Sequence, residues 1–158
     1  MGNLVDILPP VGFDQDNDEF RMINGTGVAL AIGDILQVDT SSGSLDAVSK
    51  LFTKVRVPDT TAALTAAATF CVCMEAIPIG GTGRFRVEGD ALCSEDNSAI
   101  VVGSPLCVTL NAKTLHLATI ATANFSKVVG IAKAANSSTA GVFNVQFSGF
   151  RGFGHSGV

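Results

Sequence analysis

The chain predicts an all-β domain, a small sandwich or barrel, with an extended N-terminal arm and a mobile C-terminal tail. Three observations lead there. Short β-prone runs recur along the chain and are separated by Gly, Ser, Asn and Asp. Several alternate, as in Phe85 and Val87 or Phe143, Val145 and Phe147, the period that half-buries a strand. The intervening residues, such as Ser41-Ser42-Gly43 and Gly80-Gly81-Thr82-Gly83, are those of tight turns.

Composition sets the frame. The chain has 158 residues, enough for one domain with a core. Hydrophobic residues make up 47% and charged residues 15%, against roughly a quarter charged in an average soluble domain. A chain this apolar folds rather than staying disordered. Its apolar runs are broken by Gly, Thr, Asp or Lys before they could cross a bilayer, so no membrane partner is expected. A surface this poor in charge suits a protein covered by a partner.

Residues 1–21 read as the arm. Pro9-Pro10 forbids helix there, and the acidic stretch after Gly12 offers little to bury. Residues 22–149 read as the β-domain. Its candidate strands are Val28–Ile32, Ile35–Asp39, Leu51–Val57, Phe70–Ala76, Arg84–Glu88, Ala99–Val102, Leu106–Leu110, Leu115–Thr119, Lys127–Ala132 and Phe143–Phe147. Ala-rich Thr60–Thr69 is either a loop or one short helix capped by Asp59. Residues 150–158 form a Gly/Phe tail, mobile unless held by a partner.

The chain also resembles itself. Residues 29–38 align without gaps to 99–108, placing Gly33 on Gly103. Residues 70–76 then align to 128–134, and 81–89 to 141–149. Either short β-segments look alike by chance, or residues 28–89 and 98–149 are two related halves.

Charge is segregated. All fourteen acidic residues lie at or before Asp96, and no Lys or Arg precedes Arg21. Lys113, Lys127, Lys133 and Arg151 follow with no acid among them. This is either drift on a solvated surface or complementarity between subunits, such as an acidic arm docking on a basic face. The acidic total and the lack of a basic cluster with interleaved aromatics disfavour a nucleic-acid role, so no nucleic-acid partner is expected.

Catalytic and metal-ligating patterns are missing. The chain contains no Gly-x-Ser-x-Gly, Walker loop or dinucleotide fingerprint. His116 and His155 have no partner at ligand spacing. Cys71 and Cys73 share a strand face, and with Cys93 and Cys107 they read as buried small hydrophobes. Asp14-Gln15-Asp16-Asn17-Asp18 opens like a calcium loop. Its sixth position is Glu19 where Gly is needed, and its twelfth is Gly25 where Glu is needed. A solvated acidic loop is the default, with a loose calcium ion its alternative. No enzyme, cofactor or resident metal is therefore expected. No signal peptide is recognisable, so synthesis in a cytoplasm with four reduced thiols is expected.

Three blocks in order resemble the bacteriophage capsid decoration proteins, also called cement or head-stabilisation proteins. Gly33-Asp34-Ile35-Leu36-Gln37-Val38 resembles the family's early strand entry. Ala76-Ile77-Pro78 with Gly81–Gly89 resembles its central hairpin. Val129–Ala135, Thr139-Ala140-Gly141 and Val145–Gly149 resemble its closing segment. The resemblance implies a small β-rich protein on the outer surface of an assembled virion capsid, made in a host bacterial cytoplasm. It implies self-association, commonly as a homotrimer, and clamping of neighbouring major capsid proteins. No catalytic residue is implied. The arm, the Leu51–Thr69 connection and the tail depart from the family pattern, leaving sandwich, barrel and tulip-like variants open. The interface is expected at arm residues Leu4, Val5, Ile7, Leu8, Pro9 and Pro10 and at tail residues Phe150 and Phe153, since aromatics bury much area per rotatable bond. The alternative is a host-receptor or carbohydrate-binding module of a fibre or tail. The absence of Trp and Tyr leans against it, because a sugar platform would rest on Phe alone.

Overall fold

The computed structural model describes residues 19–59, 68–96, 99–118, 127–137 and 141–149. Among these the regular structure is strand, with one short 3-10 turn at Ser42–Ser44. The strands are β1 (Glu19–Asn24), β2 (Ile35–Val38), β3 (Lys54–Arg56), β4 (Phe70–Cys73), β5 (Thr82–Arg86) and β6 (Glu88–Ser94). They continue as β7 (Ala99–Ile100), β8 (Pro105–Val108), β9 (Leu115–Leu117), β10 (Val128–Ala132), β11 (Asn136–Ser137) and β12 (Val142–Ser148). The chain is thus all-β.

The first five strands close into a barrel in the order β1-β3-β2-β4-β5. Phe20 and Met22 face its interior from β1 while Arg21 faces out, so Glu19–Asn24 alternates as a barrel strand must. Residues 19–21, assigned to the arm from sequence, are therefore strand, and their charge belongs to the outer face. The next sheet has the order β6-β12-β10-β8-β9. Each of its strands is paired as its counterpart in the barrel is: β6 as β1, β12 as β5, β10 as β4, β8 as β2, β9 as β3.

The two differ at one seam. In the barrel, β1 pairs β3 in parallel, and Ile23 N–H donates to Thr53 O at 2.7 Å. In the second sheet β6 approaches β9 only at the Glu95–Leu115 bridge. One step earlier, Ser94 N–H donates to Gly33 O at 2.9 Å and Ile35 N–H donates to Lys113 O at 2.9 Å. The segment Gly33–Ile35 of the barrel is wedged between β6 and β9, and it supplies the hydrogen bonds that those strands do not give each other.

Two cores result. Met22, Leu36, Val55, Cys71, Cys73, Ile77 and Phe85 fill the barrel. Ile35, Phe70 and Val72 point outward from it and pack with Cys93, Leu106, Leu115, Val129, Phe143, Val145 and Phe147 of the second sheet. β4 therefore has both faces buried, which is why Phe70-Cys71-Val72-Cys73 reads as an unbroken apolar run. Burying each large side chain stabilises by about 1.5–3 kcal/mol.

Val28–Ile32, expected as a strand, is a loop holding a lone Leu30–Ile77 bridge. The Asn24 amide accounts for it by donating to Val28 O at 2.7 Å and Pro78 O at 3.1 Å, while Asn24 Oδ1 accepts from Thr26 N–H at 3.0 Å. These bonds curl the chain before any ladder forms. Ala99–Val102 is shorter than expected, ending at Ile100 before a turn. The Ala-rich expectation at Thr60–Thr69 falls largely on residues 60–67, outside the described residues.

Candidate interaction surfaces

Leu4, Val5, Ile7, Leu8, Pro9, Pro10, Phe150 and Phe153 all lie outside the described residues. What the structure does fix is where each terminal segment meets the framework. The arm joins at Glu19. Its carboxylate is buried, with Oε1 2.7 Å from Arg86 Nη2 and Oε2 3.5 Å from Arg84 Nη1. Arg86 also donates to Asp90 O, so the start of β1 is tied to the start of β6.

The tail leaves at Gly149. Its N–H donates to Val87 O at 2.8 Å, and its carbonyl accepts from Phe70 N–H at 3.0 Å. A Cβ at this position would run into the Phe70 backbone, so the close approach requires glycine. Buried Lys127 donates to the same Gly149 carbonyl at 3.0 Å and to Ala68 O at 3.2 Å. Burial pushes the Lys127 ammonium below its usual range, while nearby Glu88 works the other way.

Two ordered loops present apolar side chains to solvent. In the barrel, residues 39–53 link β2 to β3, where residues 109–114 suffice between β8 and β9. This excursion is a hairpin with a Leu45–Phe52 bridge. Its tip is fixed by Asp46, whose Oδ1 accepts from Val48 N–H at 3.1 Å, Ser49 N–H at 2.6 Å and Ser49 Oγ at 2.8 Å. The bonds from Ser49 hold the Asp46 carboxyl below the usual carboxylate range. On this rigid tip Val48 is 91% exposed and Leu51 63%. At the turn after β7, Val101 and Val102 are 66% and 67% exposed. Leu51 and Val102, expected in strands, lie on these loops instead, since an apolar side chain on a loop carries the same letter as one in a core.

The four cysteines are buried free thiols. Burial pushes Cys71 and Cys93 well above the thiol range and Cys73 up to about 11, so they remain protonated and inert at neutral pH. His116 lies on β9 with Nδ1 3.3 Å from Thr109 Oγ1. Burial lowers its pKa against the opposing pull of Asp96. Among the described residues no group of three or more His, Cys, Asp or Glu is placed to hold a metal ion. The acidic stretch Asp14–Asp18 lies outside the described residues. Glu95 takes the place in the second sheet that Asn24 holds in the barrel. It is buried, and both carboxylate oxygens lack a partner among the described residues.

No protein family and no curated protein matches the chain. Among solved structures, the head fiber gp8.5 N base of bacteriophage phi29 is similar over 82% of this chain and 94% of that one. The sequence identity is 12% and the TM-score 0.49. A likeness of that size decides nothing about function.

Proposed function

We propose that the protein is a structural component of a phage head. In this reading it sits on the outer surface of the assembled capsid, associates with itself as a homotrimer and clamps neighbouring major capsid proteins. The observation that carries the reading is the set of large apolar side chains held on rigid, exposed loops. Val48 and Leu51 on one hairpin tip and Val101 and Val102 on one turn contribute nothing to either core, and large apolar side chains grouped on exposed loops suit contact with other proteins. The ordered sequence blocks that resemble those of decoration proteins support a viral shell as the partner. The arm would add reach: eighteen residues can span at most about 60 Å at 3.3 Å per residue. Arm residues Leu4–Pro10 and tail residues Phe150 and Phe153 then supply contact area beyond the folded framework.

The test is binding to native particles. The full chain is expected to co-sediment with heads at a copy number in the hundreds and to raise their resistance to heat. Deleting residues 1–18 is expected to leave a folded protein with reduced head binding. A protein found in a few copies at the tail is a receptor binder, and that result overturns the proposal.

A further inference from the structure

The two halves of the chain close the same end with opposite chemistry. In the barrel the buried Asn24 carboxamide closes it. Its amide nitrogen donates to the carbonyls of Val28 at 2.7 Å and Pro78 at 3.1 Å, and lies 3.5 Å from that of Ile77. Glu95 holds this place in the second sheet. Asn24 N–H donates to Gly81 O and Gly25 N–H to Val55 O, just as Glu95 N–H donates to Gly141 O and Asp96 N–H to Leu115 O. The segment that bears the carbonyls is repeated too. The Leu30–Ile77 bridge recurs as the β7–β11 pair, with Ile100 opposite Asn136 and Ala99 opposite Ser137. The main-chain carbonyls of Asn136 and Ser137 thus take the places of those of Ile77 and Pro78.

An amide nitrogen donates, whereas a carboxylate and a carbonyl only accept. The end that meets an amide in the barrel therefore meets a carboxylate in the second sheet. Glu95 is 2% exposed, and neither of its oxygens has a partner among the described residues. A buried charge left in that state is costly. A proton would serve one acceptor, while a cation serves several at once. We infer that Glu95 holds a calcium ion at this end of the second sheet, with the Asn136 and Ser137 carbonyls and water as its other ligands. A carboxylate with main-chain carbonyls is the oxygen set of a hard cation, and calcium accepts an irregular set where magnesium demands a near-ideal octahedron. β7 and β11 form a two-stranded sheet of their own, and the ion ties that ribbon to the end of β6. The site needs a single side chain. Main-chain carbonyls carry no letter in a sequence, which is why residue spacing pointed to no resident metal. The inference stands apart from the shell reading.

The experiment adds CaCl2 to the full chain at neutral pH after treatment with EDTA. A site with one carboxylate belongs at the weak end of calcium affinities, with a Kd of about 10⁻⁴–10⁻³ M. Isothermal titration is expected to show one ion per chain. With calcium at ten times its Kd, the thermal midpoint is expected to rise by about 3–6 °C. Glu95→Gln is expected to abolish the rise. So is Glu95→Asn, which puts the barrel's own residue at the site. Both variants are expected to be at least as stable as the calcium-free parent, since an amide can donate to the carbonyls. The triple change Asp14→Asn, Asp16→Asn, Asp18→Asn is expected to keep the rise. Absence of calcium binding by the parent overturns the inference, whatever the variants do. So does a rise that survives both Glu95 changes. A rise lost with the triple change puts the ion on the acidic stretch Asp14–Asp18 and overturns it as well. An equal shift with magnesium overturns the choice of calcium.

Discussion

Lys113 Nζ lies 2.6 Å from Asp34 Oδ2, an ion pair joining the barrel to the second sheet across the wedged segment Gly33–Ile35. Asp34 is largely buried, and the same oxygen accepts the Ala31 N–H at 2.9 Å. Removing Asp34 therefore breaks two interactions, while removing Lys113 breaks one. Asp34→Ala is expected to destabilise by about 2–3 kcal/mol and Lys113→Ala by about 1–2 kcal/mol. Urea titration of each variant measures the difference, and equal losses would show that the cap on Ala31 contributes nothing.

Gly33 and Gly103 offer a matched pair. Both have positive φ, +91° and +87°. A Cβ on Gly33 would lie 2.7 Å from Val142 Cγ1 and 3.3 Å from Leu92 O, whereas one on Gly103 would meet open space. Gly103→Ala is expected to cost about 1 kcal/mol through backbone strain alone. Gly33→Ala is expected to cost at least twice that, because the seam must open as well. Thermal unfolding of both variants decides it.

Alkaline pH acts through the thiols. Cys71, Cys73 and Cys93 have folded pKa values raised by burial. Their contribution is fully present below the unfolded thiol pKa of about 8.5 and is lost as pH rises toward the folded values, by about 1.4 kcal/mol per pH unit for each thiol. For Cys73 the loss runs up to about pH 11. Lys127 opposes this, since its lowered pKa makes the folded state gain relative stability as pH approaches the unfolded value of about 10.4. Three thiols outweigh one amine. Stability is expected to fall above about pH 8.5, and Cys73→Ala is expected to flatten the fall, as read from denaturant midpoints across pH.

The hairpin tip separates stability from recognition. Val48→Ser and Leu51→Ser change exposed side chains and are expected to shift stability by no more than about 0.5 kcal/mol. Binding of the double variant to heads is expected to drop severalfold in the sedimentation assay.

Much of the framework was legible from residue pattern. The aligned glycines Gly33 and Gly103 both occupy left-handed turns, and the aligned segments 70–76 and 128–134 contain β4 and β10. Phe143, Val145 and Phe147 point into the core as their alternation required. Other elements were hidden for physical reasons. Glu19–Asn24 carries its charge on the outer barrel face and so resembled a solvated arm. Glu88–Ser94 combines Gly89 and Asp90 with a buried Ala91 and Cys93, an alternation too weak in side-chain size to stand out. The wedge at Gly33–Ile35 depends on hydrogen bonds between residues some 60 to 80 positions apart, which no local pattern encodes. The apolar hairpin tip could have been found from one signal, the unequal length of the two β–β connections that the internal alignment made comparable.

The double burial of β4 sets how the molecule comes apart. Cys71 and Cys73 belong to the barrel core, while Phe70 and Val72 belong to the core shared with the second sheet. Pulling this strand out of one core removes it from the other. The barrel and the second sheet are thus thermodynamically coupled, and neither can melt as an independent unit. A scanning calorimeter should register one cooperative endotherm, and a fragment cut at the Val87 junction should lose its partner's fold together with its own.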